Sequence, residues 1–355
     1  MLRFFFKILF RIILILVIIG GIWAWIFDVI YRADGYHWPV SDHFDGKRFS
    51  NISTPNQEKE SLKEKWSEIT DWLTTTRPLW VPRNVDPALP ERYYTWTGIK
   101  VTAVGHASFL IQVNGLNILT DPIWTDSPSP FQSLSHGRYT NPGILFSALP
   151  PIDAVLISHN HYDHLDLPTL SALHERDHPH IYTWLGNSEF LKKNNIESSY
   201  DLDWFDAISL TGVSITFVPA DHYSARALSD RRTTLWWGFV IEWGGKSLYF
   251  AWDTASWAFV DAIRAKYPNG FDIGLLPIGA YRPEYIMKDK HMNPREALTL
   301  AKELKIRAAL GMHWGTFALG SDGQDEPVKD LELAKKDFSP QVFEPAIAGK
   351  EWVFE

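Results

Sequence analysis

The 355 residues, 45% of them hydrophobic, are enough for one large α/β domain or two small ones with a substantial core, which excludes a disordered chain. A net charge of −8, with no block of Lys and Arg to override it, argues against a nucleic-acid partner. With no cysteine, disulfides, thiolate metal sites and cysteine nucleophiles are excluded, so any metal ligand must come from His, Asp or Glu.

The N-terminus, Met1-Leu2-Arg3-Phe4-Phe5-Phe6-Lys7, leads into an uncharged run from Ile12 to Phe27. A helix from Phe4 to Phe27 would be about 36 Å long, enough to cross a hydrocarbon core of roughly 30 Å, with Lys7 and Arg11 reaching back to one interface. Trp23, Trp25 and Tyr31 would mark the other interface. A cleaved signal peptide is the rival reading, because the uncharged run alone is about 16 residues. No convincing small-x-small cleavage site follows it, which favours an uncleaved anchor over residues 1–30. Arg3, Lys7 and Arg11 would keep the N-terminus cytoplasmic, so the expected location is a membrane, read as the inner membrane, with the body on the non-cytoplasmic face.

Residues 31–98 read as an arm and connector. Glu58 to Thr75 carries Leu62, Trp66, Ile69 and Leu73 on one stripe, the pattern of an amphipathic helix, and the proline-rich stretch from Arg77 to Pro90 should be extended. From Ile99 the pattern changes to that of a domain reaching residue 355. Strands are expected at Ile99–Val104, Ser108–Val113 and Asn117–Thr120, with Asn114-Gly115 as a hairpin turn. Ala154–Ser158 reads as a strand buried on both faces. Further strands are expected at His180–Trp184, Val213–Val218, Trp236–Trp243, Ser247–Ala251, Ile273–Ile278 and Arg307–Met312. Helices are expected at Pro168–Glu175, Asn187–Lys193, Ala255–Tyr267 and Pro294–Leu304. Strand runs followed by alternating helices, twice over, predict two sheets with helices outside them.

The densest chemistry is Ser158-His159-Asn160-His161-Tyr162-Asp163-His164, directly after the apolar run Ala154–Ile157. Imidazole nitrogens and a carboxylate suit zinc, and these four can converge only if the chain turns tightly where the strand stops. The remaining donors should then lie at other strand ends, where His222, Asp253 and His313 stand. His174, Asp177, His178 and His180 have similar chemistry but fall at the end of a polar helix, and Arg231-Arg232 reads as a solvated turn rather than a phosphate clamp.

Together these segments resemble the metallo-β-lactamase superfamily and, within it, the phospholipases D that hydrolyse N-acyl-phosphatidylethanolamine. The resemblance is carried by Val104–Ala107, Leu119–Ile123, Leu149–Asp166, Pro277–Tyr281 and His313–Leu319, and spans roughly Pro39 to the C-terminus. It implies an α/β fold, the four-layer αββα sandwich, here with an N-terminal membrane helix added. It also implies two zinc ions, the first on His159, His161 and His222, the second on Asp163, His164 and His313, with Asp253 bridging them. By the same likeness His291 contacts the substrate phosphate, with Asp163 and Asp253 holding the nucleophile and its metals, while His106 and Asp121 orient ligands without being catalytic. Trp252, before the bridging Asp253, departs from the small residue that the likeness predicts and is expected to reshape the pocket beside the metals.

The function implied is a membrane-associated phosphodiesterase that cleaves N-acyl-phosphatidylethanolamine to phosphatidate and N-acylethanolamide; homodimerisation is implied by the resemblance alone. Two readings compete. One is a metallohydrolase of small lactones, amides or phosphate esters, since fold and metal site constrain reaction type better than substrate. The other is a catalytically silent membrane-bound binding module, which the intact set of seven donors argues against. A pocket walled by Trp236, Trp237 and Trp252 would favour the lipid.

Overall fold

Asn114 and Gly115 both take left-handed backbone, φ 49° and 77°, as the central pair of a two-residue hairpin requires. They join β2 (Ser108–Val113) to β3 (Leu116–Thr120), and β1 (Ile99–Gly105) pairs antiparallel with β2 on the other side. The computed structural model describes residues 2–37, 39–52, 66, 70, 74–95, 97–131, 137–255, 258–338 and 342–355. The amphipathic helix expected over Glu58–Thr75 falls almost wholly outside them.

Two seven-stranded mixed sheets form the body. The first runs β14 (Glu351–Phe354), β1, β2, β3, β4 (Ala154–Leu156), β5 (His180–Trp184) and β6 (Ser199–Leu202). The second runs β13 (Val342–Pro345), β12 (Ala308–Met312), β11 (Ile273–Pro277), β10 (Lys246–Phe250), β9 (Gly238–Trp243), β8 (Val213–Val218) and β7 (Ala207–Leu210). Each sheet is antiparallel in one half and parallel in the other, the change falling at β3 and at β10. Parallel neighbours need long crossovers. These carry α2 (Leu167–Asp177) and α3 (Ser188–Lys193) beside the first sheet, and α4 (Ala258–Lys266), the short α5 (Glu284–Met287), α6 (Pro294–Glu303) and α7 (Glu326–Ala334) beside the second.

Burial follows from this layering. Val101 and Ile111 of the first sheet share one cluster with Phe217, Phe239 and Leu275 of the second, so the sheets pack face to face. Leu170, Leu173 and Phe190 from α2 and α3 extend that cluster. The outer face of the second sheet, with Val240 and Tyr249, packs on Phe259, Ile263 and Leu298 from α4 and α6. The arrangement is the expected four-layer α/β sandwich. It contains elements the sequence pattern did not announce, namely β6, β7, β13, β14, α5 and α7. Trp236 and Trp237 precede β9 instead of opening it.

Helix α1 (Leu2–Tyr31) stands out from this body. Its Phe4–Tyr31 portion is long and apolar enough to cross a membrane, and every side chain from Phe4 to Trp23 is exposed. Among the described residues only its last turns touch the domain, where Phe27 stacks on Phe131 with ring centroids 5.5 Å apart. The arm that follows is docked. Ala33, Phe44 and Phe49 are buried in the inter-sheet cluster, and the His43 ring stacks on Trp204 at 4.3 Å with Nε2 3.0 Å from Asp203 Oδ1.

Candidate metal centre

Every strand that feeds the site stops just before its donor. After β4 the chain turns at once, with the amides of His164 and Leu165 both donating to the His161 carbonyl at 3.1 and 2.9 Å. That turn gathers His159, His161, Asp163 and His164 into one loop, called the metal loop below. On the second sheet His222 follows β8, Asp253 follows β10 and His313 follows β12. His106, in the turn between β1 and β2, Asp121, Trp252 and His313 all have positive φ, between 36° and 64°. Such left-handed backbone costs a non-glycine residue roughly 1–2 kcal/mol and collects where a site over-determines it. Gly279 makes room for one of these, since a Cβ there would lie 2.0 Å from the His313 carbonyl oxygen.

The donor atoms converge in two adjoining groups. His159 Nε2 lies 2.6 Å from His161 Nδ1, which is 3.4 Å from His222 Nε2. In the second group Asp163 Oδ2 is 3.2 Å from His164 Nε2 and 3.4 Å from His313 Nε2. Asp253 reaches the second group through both oxygens, Oδ2 at 3.0 Å from His164 Nε2 and Oδ1 at 3.1 Å from His313 Nε2, and also falls within one donor set with His159. Nitrogen ligands about 2.0–2.1 Å from a tetrahedral zinc are roughly 3.3 Å from one another, close to most of these spacings.

Electrostatics point the same way. Burial pushes His159 and His222 well below the ordinary histidine pKa and takes His161 to about 3, leaving neutral rings with a free lone pair. Burial also favours neutral His164 and His313, but Asp163 and Asp253 overcome it, lifting His164 well above its usual value and His313 to about 9. The carboxylates that draw protons to those rings would draw a divalent cation. His313 Nε2, Asp253 Oδ1 and His291 Nδ1 are buried without a hydrogen bond, a condition that an ion relieves. The donor set therefore fits a metal with nitrogen and oxygen preferences.

A second ring of contacts orients these donors. Asp121 accepts from the Ser158 amide at 2.7 Å and the Ser158 hydroxyl at 2.6 Å, and its Oδ2 lies 2.8 Å from His164 Nδ1. His106 Nε2 is 3.0 Å from Asp163 Oδ2. His222 Nδ1 donates to the Lys290 carbonyl at 2.9 Å, which fixes its tautomer with Nε2 facing the cluster. His291, the next residue, brings Nδ1 to 3.9 Å from Asp253 Oδ1, and burial lowers its pKa to about 4.

Of the residues expected at the site, all ten lie in this cluster or hydrogen-bond to it. His174, Asp177, His178 and His180 do not join it: Asp177 accepts from the Ile152 amide at 3.0 Å and His174 Nδ1 lies 3.2 Å from Ser198 Oγ. The tryptophans named as pocket walls are core residues, and the condition that would favour the lipid is not met by them. Trp236, Trp237 and Trp252 are fully buried, so they wall no open pocket. Trp252 instead backs the metal donors, its ring 4.5 Å from His159 and 5.1 Å from His222. Two contributors went unread in the sequence. Ser158 bridges Asp121 and His159, and the Tyr223 ring stacks on His222 at 4.9 Å and meets His161 at 4.8 Å, with the Arg231 guanidinium 3.8 Å above it. Adjacency to a candidate ligand was the only signal for either.

A fold of two face-packed mixed sheets with a His/Asp cluster at their edge defines a class, and the family profile described as "Beta-lactamase superfamily domain" matches residues 116–314. The chain belongs to the metallo-β-lactamase superfamily. Within it the chain stands close to proteins named as N-acyl-phosphatidylethanolamine-hydrolyzing phospholipase D. The one named phospholipase D 1 in Caenorhabditis elegans is 31% identical over 281 residues, 74% of this chain and 78% of that protein. The mitochondrial one of Saccharomyces cerevisiae is 34% identical over 248 residues, 68% of this chain but only 51% of the yeast protein. Among solved structures, Igni18, a metallo hydrolase from Ignicoccus hospitalis, shares the fold with a TM-score of 0.54 at 22% identity, covering 73% of this chain and 99% of its own. These relationships support a metallohydrolase.

Proposed function

We propose that the chain is a membrane-associated, zinc-dependent phosphodiesterase that hydrolyses N-acyl-phosphatidylethanolamine to phosphatidate and N-acylethanolamide. The observation that carries this reading is the pair of donor groups joined by Asp253, in a chain that shares 31% identity with a protein named for that reaction. His159, His161 and His222 would hold one zinc, Asp163, His164 and His313 the other, and Asp253 both. Bound there, two divalent ions supply Lewis acidity at phosphoryl oxygens and make water acidic enough to attack near neutral pH.

The protein's own groups do the positioning. Asp121 and the Lys290 carbonyl hold the far nitrogens of His164 and His222, so the near nitrogens present lone pairs in fixed directions. His106 holds Asp163 in the same manner. His291, kept neutral by burial beside Asp253, donates its ring N–H to a nonbridging phosphoryl oxygen and keeps that proton throughout. Water oxygen bonds to phosphorus as the bond from phosphorus to the ethanolamide oxygen breaks, and the proton given up by that water ends on the departing oxygen. Helix α1, with its flanks exposed from Phe4 to Trp23, serves as the anchor that keeps the enzyme on the surface containing its substrate.

The test uses full-length, detergent-solubilised protein with bound metal quantified, given N-acyl-phosphatidylethanolamine in water labelled with heavy oxygen. Label in phosphatidate, with release of N-acylethanolamide, is expected. Two metals bound with the lipid left intact would sink the proposed substrate and favour small esters or lactones. No metal bound would favour a silent binding module.

A further inference from the structure

The loop between β8 and β9 holds both the membrane helix and the metal loop. At one end, Ser229 donates its amide to Asp28 Oδ1 at 2.8 Å and its hydroxyl to Asp28 Oδ2 at 2.6 Å, on the last turn of α1. Beside it, the buried Asp230 carboxylate accepts from the amide of Ala33, just past the helix, at 2.9 Å. The other oxygen of the same carboxylate accepts from the amides of Arg226 and Ala227 at 3.0 and 2.8 Å. One buried carboxylate therefore fixes the exit of α1 and the backbone of Arg226 to a common point.

From there Arg226 reaches the metal loop. Its side chain is buried, and Nη1 donates to the carbonyls of Asn160 at 2.9 Å and Leu165 at 2.8 Å. Those carbonyls bracket His161, Asp163 and His164. The guanidinium lies 4.0 Å over the ring of Tyr162, whose hydroxyl donates back to the Arg226 carbonyl at 2.9 Å. Two buried carbonyls tied to a single cationic nitrogen hold the two ends of the loop at a fixed separation, and hydrogen bonds to a buried charge are among the stronger ones available.

We propose that Arg226 is a positioning residue for the metal loop, and that its own position is set through Asp230 by the exit of the membrane helix. This rests on the reading of His161, Asp163 and His164 as metal ligands. The anchor then does more than hold the enzyme near lipid: the way α1 leaves the membrane contributes to the shape of the centre.

The test measures zinc affinity, by competition with a chromophoric chelator, together with kcat, KM and thermal unfolding, on the full chain in detergent. Arg226→Met keeps the bulk and removes the charge, and is expected to weaken zinc binding about 10-fold or more. Arg226→Lys, which can still donate to both carbonyls, should recover most of that loss. Asp28→Ala with Ser229→Ala, at the surface, should weaken zinc binding in the same direction by roughly threefold. A merely structural role would lower the melting temperature and leave zinc affinity untouched below it, and that result in Arg226→Met would overturn the proposal. Should Arg226→Met not fold, Asp230→Asn decides by the same measurement: wild-type affinity overturns the proposal, weakened affinity supports it. Wild-type protein that binds zinc but spares the lipid removes the proposed substrate and leaves this inference intact.

Discussion

Asp253 is the residue on which the two donor groups depend together, since its oxygens lie 3.0 and 3.1 Å from His164 and His313 while it also shares a donor set with His159. Asp253→Asn keeps the shape and removes the charge, so turnover should fall by orders of magnitude while the melting temperature of the metal-free protein stays close to wild type; near-normal kcat would end the assignment. Asp121 acts one step further out. Asp121→Asn breaks its hold on His164 Nδ1 or on Ser158, and metal affinity should drop roughly 10- to 100-fold in a chelator competition. Legibility at this scale followed chain distance. Four donors fall within the six residues from His159 to His164 and three more stand alone after apolar runs, so strand ends could be read directly. Ser158, Tyr223 and Arg226 act through contacts that local pattern does not encode, Arg226 reaching a carbonyl 66 residues away. Trp252 was legible as a departure but not in its effect, because volume beside a metal can face the pocket or back the ligands.

Among elements, the helix after His291 begins with Asn293 and Glu296 in a reciprocal cap, their side chains and backbone amides exchanging hydrogen bonds of 3.0 and 2.8 Å. Asn293→Ala should cost about 1 kcal/mol, read as a lower denaturant midpoint. Because the cap lies two residues from His291, KM should rise as well. The arm carries a pH dependence of its own. Burial works against a charged His43, but Asp203 and Asp42 outweigh it and raise its pKa above the ordinary 6.5. The folded state thus holds this proton more tightly than the unfolded one, so the contribution is fully present below about 6.5 and is lost as pH rises through the folded value. Amide exchange over residues 41–50 should therefore quicken as pH climbs through that window, beyond the intrinsic rate increase, and His43→Gln should abolish the excess. The strands that sequence pattern missed share a cause. β6, β7, β13 and β14 are four residues each, with mixed exposure. Their pairing is supplied by a longer neighbour, and short edge strands carry too little alternation to be recognised.

At the scale of the molecule the donors join two layers. The metal loop belongs to the first sheet, and His222, Asp253 and His313 belong to the second, so a metal held between them ties the sandwich along one edge. Chelation should lower the melting temperature by several degrees, because an ion at a hundred times its Kd adds about 2.7 kcal/mol, and hydrogen exchange should rise at the ends of β4, β8, β10 and β12 together. A response confined to one sheet would contradict the shared centre. The layer order itself was readable, since two rounds of strands followed by helices permit few arrangements.

The placement of β14 has a consequence for how the protein comes into being. It borders β1, pairing Ile99 with Phe354 and Thr102 with Glu351, so the first strand of the domain to leave the ribosome waits for the last. For the tens of seconds that synthesis of the intervening chain takes, roughly, β1 presents a bare row of amides and carbonyls. With α1 emerging earlier still, a nascent chain already inserted in a membrane would spend that interval with its unfinished edge held away from other nascent chains, and crowding at the ribosome would matter less to its yield.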